Sequence, residues 1–191
     1  MRAVPAGVFD GVGLTRPLWP HQARALAALD RDLARRDRAT YLVVPPGGGK
    51  TLMGLEAARR LGRPTVVLCP NTAIQAQWMA QWQGAFSPAA VPATARRELP
   101  TPLTVLTYQA LCTLGAAGNG EEETGRPVTG TKLDGDGLLS LLHPNGRALI
   151  ARLRAGGPWT LVLDECHHLL ELWGRLLQVV VGQLGRPTSS G

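Results

Sequence analysis

The 191-residue chain predicts an α/β fold, a parallel β-sheet sandwiched by helices. Three observations predict it. Short, continuously apolar runs alternate with segments of helical period, as strands buried on both faces do. A glycine-rich stretch, Pro45-Pro46-Gly47-Gly48-Gly49-Lys50-Thr51, stands between one such run and a helical pattern. An acidic pair, Asp164-Glu165, stands at the C-terminal end of the last run. Right-handed crossovers place every strand's C-terminal end on one edge, so loop and acids are expected to meet there although remote in the chain.

Residues 1–15 carry Pro5, Gly7, Gly11 and Gly13 without periodicity and read as a loose N-terminal segment. From Pro20 to about Arg36 a helix is expected, with Leu26, Leu29 and Leu33 on one face and basic residues at its end, where the helix dipole favours them. Tyr41-Leu42-Val43-Val44 reads as a strand. The loop follows, then a helix through Leu52, Leu55, Ala58 and Leu61, stopped by Gly62 with Pro64 beyond. Thr65–Cys69 is a short buried strand. Pro70-Asn71-Thr72 supplies a turn with capping groups for a helix from about Ala73 to Gln83. In it Ile74, Trp78 and Trp82 repeat every fourth residue, which predicts core packing rather than base stacking.

A proline-containing segment, 87–102, leads to a strand over Leu103–Thr107, and Tyr108-Gln109-Ala110-Leu111 begins a short helix. Residues 115–137 are rich in glycine with three consecutive glutamates, which predicts a flexible surface loop. A helical region broken by Pro144 resumes near Arg147 and ends at Gly156-Gly157-Pro158. Thr160–Leu163 is a fourth strand, and a last helix carries Leu169, Trp173, Leu176 and Val180 on one stripe. No internal repeat is visible.

Composition narrows the class of function. Length suits one domain, or one and a fraction. Hydrophobic residues make up 45% of the chain and no apolar run is long enough to span a bilayer, so no membrane partner is expected. The N-terminus lacks a signal-peptide core, and Cys69, Cys112 and Cys166 show no paired spacing, which together suggest reduced thiols and a cytoplasmic location. Neither the cysteines nor the four histidines are spaced for structural zinc. Formal net charge is +6, and only Lys50 and Lys132 of the 20 basic residues are lysine. That arginine excess is compatible with a polyanionic partner.

Strand, glycine-rich loop and helix form the context in which a backbone cradles phosphates. Glycines let N–H groups point inward, and the helix N-terminus adds positive potential. The stretch Pro46, Gly47, Gly48, Gly49, Lys50 and Thr51 would hold the phosphates. Lys50 would reach the terminal ones and the Thr51 hydroxyl would ligate Mg²⁺. The general spacing asks for glycine at position 44, where this chain has Val44. A carboxylate at a strand end facing such a loop can hold Mg²⁺, a part suited to Asp164, and a second acid can orient or deprotonate the attacking water, a part suited to Glu165.

In order and spelling these motifs resemble the first RecA-like domain of superfamily-2 DExD/H-box helicases and translocases, P-loop NTPases. PPGGGKT resembles motif I, which tolerates the valine. Asp164-Glu165-Cys166-His167 resembles motif II. Leu18-Trp19-Pro20-His21-Gln22 resembles the element whose glutamine reads adenine, with Trp19 and His21 departing from the usual arginine and tyrosine. Residues 66–78 are similar to motif Ia, and Thr107–Leu111 to a later strand-contacting motif. The resemblance implies ATP and Mg²⁺ as cofactors and Gln22 as the adenine contact. It makes Lys50, Asp164 and Glu165 catalytic, with Thr51 and Asp164 on the metal and His167 coupling hydrolysis to neighbouring motifs. Nucleic-acid contacts would fall at Pro70, Asn71, Thr72, Gln75, Thr107, Tyr108 and Gln109.

The resemblance further implies residues 16–191 as one ATP-binding domain of a helicase or translocase. DNA is favoured over RNA as the track, because motif II and the glutamine element look closer to the DNA-repair and restriction branch. The family's third motif, Ser/Thr-Ala-Thr, and a second RecA-like domain with its arginine finger do not occur within the 191 residues, so feeble hydrolysis by this chain alone is expected. Two other readings stay open: a P-loop ATPase without a nucleic-acid track, and a helicase-like module that binds without catalysis.

Overall fold

The computed structural model describes residues 7–35, 39–87, 91–113, 135–166 and 171–184. Its centre is a four-stranded sheet of β2 (Thr65–Cys69), β4 (Ala93–Thr94), β5 (Leu103–Thr107) and β6 (Thr160–Leu163), in the order β4-β5-β2-β6. Every pairing is parallel, with Cys69 opposite Thr107 and Leu68 opposite Leu163, so the three longer strands end at one rim. The fold is α/β, as the alternation of apolar runs and helices predicts.

Each strand's period of two divides the core between the sheet's faces. Val66, Leu68 and Leu106 pack with Leu111 of α4 (Tyr108–Cys112), Leu149 of α6 (Pro144–Ala155) and Leu176 of α7 (Glu171–Leu184). Val67, Cys69, Leu103 and Val105 pack with Leu52 and Leu55 of α2 (Lys50–Leu61) and with Trp78 and Trp82 of α3 (Thr72–Ala85). Among the described residues the other helices are α1 (Pro20–Ala34), laid on α2 through Leu26, Leu29 and Ala57, and the short α5 (Gly135–Ser140). Asn71 caps α3 by accepting the Ile74 N–H at 3.0 Å, and α2 ends as the Gly62 N–H turns back to the Ala58 and Arg59 carbonyls. Pro144 opens α6, where its missing N–H costs nothing.

Three expectations need correction. Residues 7–15 are packed rather than loose. Phe9 and Val12 are buried, Phe9 meets Trp82 edge-to-face at 5.5 Å, and β1 (Gly13–Leu14) pairs antiparallel with β3 (Phe86–Ser87). Residues 41–44 form no strand: they join no ladder, and Tyr41 and Val43 are 85% and 96% exposed. A strand exists only through its neighbour, and this segment has none among the described residues, where β6 is itself an edge. The loop expected over 115–137 falls mostly outside the described residues, but its last residues belong to α5.

The α2 helix carries one buried charge. Glu56 is 2% exposed, accepts hydrogen bonds from Arg59 at 2.7 and 2.9 Å and from Arg60 at 2.8 Å, and so lies under a lid of guanidinium groups. Arg60 also reaches Asp30 of α1 at 2.7 Å, and Arg59 donates to the Val12 carbonyl at 3.2 Å. This network fastens α1 and the N-terminal segment to the helix that opens at Lys50.

Candidate nucleotide-binding site

The loop before α2 is built on a β-turn. Gly48 N–H donates to the Pro45 carbonyl at 3.0 Å, placing Pro46 and Gly47 at the two central positions. Proline presets the first, and the second needs a left-handed backbone, which Gly47 supplies at φ 76°. Gly49 follows at φ 83°, and a Cβ on it would lie 2.4 Å from Gln22 Nε2. A Cβ on Gly48 would lie 2.4 Å from Val44 Cγ1. The valine that stands where the general spacing has glycine thus fills the space beneath the loop.

The loop is gripped from behind. Gln22 is buried, its Nε2 donates to the Gly48 carbonyl at 3.1 Å and its Oε1 accepts the Trp19 N–H at 3.0 Å. His21 Nε2 lies 3.0 Å from the same carbonyl, as a donor. Both ends of the Gln22 amide are therefore engaged, one on the loop and the other on the residue before α1. Beside it the exposed Trp19 ring meets His21 edge-on at 5.6 Å. No side chain caps α2, so the N–H groups of its first turn face the loop without intrahelical partners.

Across from the loop, Asp164-Glu165 directly follow β6. Glu165 takes a left-handed φ of 54°, uncommon for a residue with a Cβ, and its carboxylate Oε1 accepts a hydrogen bond from Lys50 Nζ. This hydrogen bond raises the Lys50 pKa above its ordinary value; partial desolvation opposes it, and the charges of Glu165 and Asp164 add to it. The ammonium thus persists throughout the neutral range. Asp164 is held from three sides: its N–H donates to Leu68 O at 2.9 Å, its Oδ2 accepts Trp78 Nε1–H at 2.8 Å, and its carbonyl accepts the Tyr108 hydroxyl at 2.9 Å. Burial pushes the neighbouring Cys69 thiol up to about 11, with the Asp164 charge contributing, so Cys69 stays protonated beneath the site.

The structure thus brings Lys50 and Glu165 into contact and sets Asp164 next to them, with Thr51 in the first turn of α2. The donors on offer to a metal, one hydroxyl and carboxylates, are the hard oxygens that Mg²⁺ takes together with substrate phosphates. His167 lies outside the described residues.

Along the same rim, the residues expected to meet nucleic acid divide. Asn71, Thr72 and Gln109 are exposed, and Pro70 and Thr107 are partly so. Gln75 is half-buried and donates to the Val105 carbonyl at 2.7 Å, tying α3 to β5. Tyr108 is 1% exposed, which takes its ring out of reach of a surface ligand and corrects that expectation. Thr72, Gln75 and Thr107 line a groove of about 350 Å³ together with Arg96, Arg97 and Glu98. Arg96 pairs with Glu98 at 3.2 Å, while Arg97 makes no hydrogen bond or ion pair among the described residues. These arginines lie in the proline-containing connector over 87–102, where an adjacent basic pair in a chain of net charge +6 is the sequence signal for them.

A comparison with curated proteins finds no match. A protein-family model, that of the type III restriction enzyme res subunit, matches residues 16–181. That span takes in the loop, both carboxylates, the tryptophan that holds Asp164 and every strand of the parallel sheet, and on it the chain belongs to the type III restriction enzyme res-subunit family, a helicase-like group of RecA fold.

Proposed function

We propose that this chain is the ATP-binding lobe of an ATP-dependent nucleic-acid motor, with DNA the favoured track and a second RecA-like domain completing the engine. The observation that carries the reading is the contact between Lys50 and Glu165, which joins the glycine loop to the acidic strand end. Phosphate oxygens suit the open N–H groups of the first turn of α2. Lys50 then exchanges the Glu165 carboxylate for the terminal phosphate, and Glu165 turns to a water molecule as proton acceptor. Thr51 and Asp164 hold Mg²⁺, which when bound neutralises charge on the phosphate oxygens. A second lobe supplies the arginine that this site lacks among the described residues.

The groove on the same rim supports the nucleic-acid part. Its polar wall and its arginines offer contacts to a sugar-phosphate backbone without reading bases. Arg97→Ala is expected to weaken binding of single-stranded DNA equally across sequences. It should also flatten the dependence of log affinity on log salt by about 0.7, the value of one single-strand phosphate contact. Fluorescence anisotropy over a salt series measures both, and an unchanged slope would remove Arg97 from the track. In a protein carrying both lobes, DNA should stimulate ATP turnover more than RNA; no stimulation by either would overturn the motor reading.

A further inference from the structure

We propose that Trp78 is a positioning residue for the magnesium site, fixing the Asp164 carboxylate through its indole N–H. The inference rests on the reading of Asp164 as a metal-holding carboxylate. Trp78 is 2% exposed, and helical spacing alone accounts for that burial. It does not account for where the indole nitrogen goes. Trp82 Nε1 donates to the Val91 carbonyl, and Trp159 Nε1 is buried without a partner. Trp78 Nε1 instead meets a side-chain carboxylate of the site, Asp164 Oδ2, at 2.8 Å.

The far edge of the same ring leans on the helix that opens at Lys50. A Cβ on Gly54 would lie 2.5 Å from Trp78 Cη2 and 3.6 Å from Val162 Cγ1 of β6. Glycine at 54 therefore leaves the slot into which the ring fits, one helical turn beyond Lys50. One rigid plate spans the distance between α2, with Lys50 and Thr51, and the end of β6. The indole N–H fixes the orientation of the carboxylate through Oδ2, and Asp164 Oδ1 makes no hydrogen bond among the described residues. A carboxylate held in this way does not have to be ordered when the metal arrives.

The test compares wild type, Trp78→Phe and Asp164→Asn in the 191-residue chain, titrating magnesium chloride in the presence of a fluorescent ATP analogue. Phenylalanine keeps most of the packing and removes the donor. Trp78→Phe should need about tenfold more Mg²⁺ for half-maximal binding, the usual penalty for losing a ligand's outer partner. Its affinity for the analogue in EDTA should be that of wild type, which a merely structural loss would not preserve. A raised requirement in Asp164→Asn with an unchanged one in Trp78→Phe overturns the positioning role alone. Unchanged requirements in both overturn the metal assignment of Asp164 and this inference with it. Should Trp78→Phe fail to fold, the ¹⁵N-indole resonance of Trp78 in wild type gives the answer. It should move on addition of Mg²⁺ and analogue, and not in Asp164→Asn; a resonance that stays still in wild type overturns the proposal.

Discussion

Glu165→Gln is expected to leave ATP bound and to slow its turnover by about 10²–10⁴-fold, the contribution typical of a positioned proton acceptor. The amide keeps the size of the carboxylate but takes no proton from water. It also loses the charge that holds Lys50, so the lysine is released toward the phosphates and ATP affinity should not fall. Single-turnover hydrolysis in a protein with both lobes, run beside nitrocellulose-filter binding of ATP, reads the two quantities separately. Wild-type turnover in the variant would strip Glu165 of its role.

The second large effect is on stability. The Arg59→Ala/Arg60→Ala double variant is expected to lose about 3–5 kcal/mol, because it leaves the Glu56 carboxylate buried without its partners. Glu56→Ala should cost less, since it removes the buried charge itself and leaves two half-exposed arginines that water can solvate. The pH dependence separates these cases. In wild type, burial works to raise the Glu56 pKa, but the hydrogen bonds and charges of Arg59 and Arg60 prevail and lower it. Its contribution is therefore present above the ordinary glutamate pKa and is lost as pH falls through the lowered value. In the double variant only burial remains, the pKa rises, and acidification should relieve part of the damage. Urea denaturation at several pH values measures both slopes; parallel slopes in wild type and double variant would contradict the network.

Much of this fold is legible in the sequence because its strands are continuous apolar runs set off by strong punctuation. Gly62 and Pro64 precede Thr65–Cys69, Pro102 precedes Leu103–Thr107, and Pro158 precedes Thr160–Leu163, and β2, β5 and β6 begin where these signals put them. Asn71 marks the start of α3 for the same local reason. The segment 41–44 shows the limit of that logic. Its residues have strand character, but pairing is a property of the neighbour. The N-terminal segment fails in the opposite sense, since Phe9 and Val12 are ordered by Trp82 and α2, distant residues that no local pattern announces.

The candidate site divides along the same line. Gly47 to Thr51 and Asp164-Glu165 can be recognised because phosphate and Mg²⁺ chemistry demands those residue types in those settings. Glu56 cannot, because a glutamate followed at three and four positions by arginines has the spelling of an exposed ion pair. Tyr108 looked like a surface contact by motif, and only the packing of α4 shows that its hydroxyl supports the Asp164 carbonyl from inside. The role of Trp78 was half visible: its period gives burial, but the direction of an indole N–H is a three-dimensional fact.

Isothermal titration of Mg²⁺·ATP into wild-type chain and Lys50→Ala is the most direct test of the shared pocket at the rim. Lys50 is 42% exposed at its side chain, so the variant should fold and melt like wild type. Wild type should bind and Lys50→Ala should show no measurable binding. Equal affinities in the two would contradict a nucleotide held between the glycine loop and the acidic strand end.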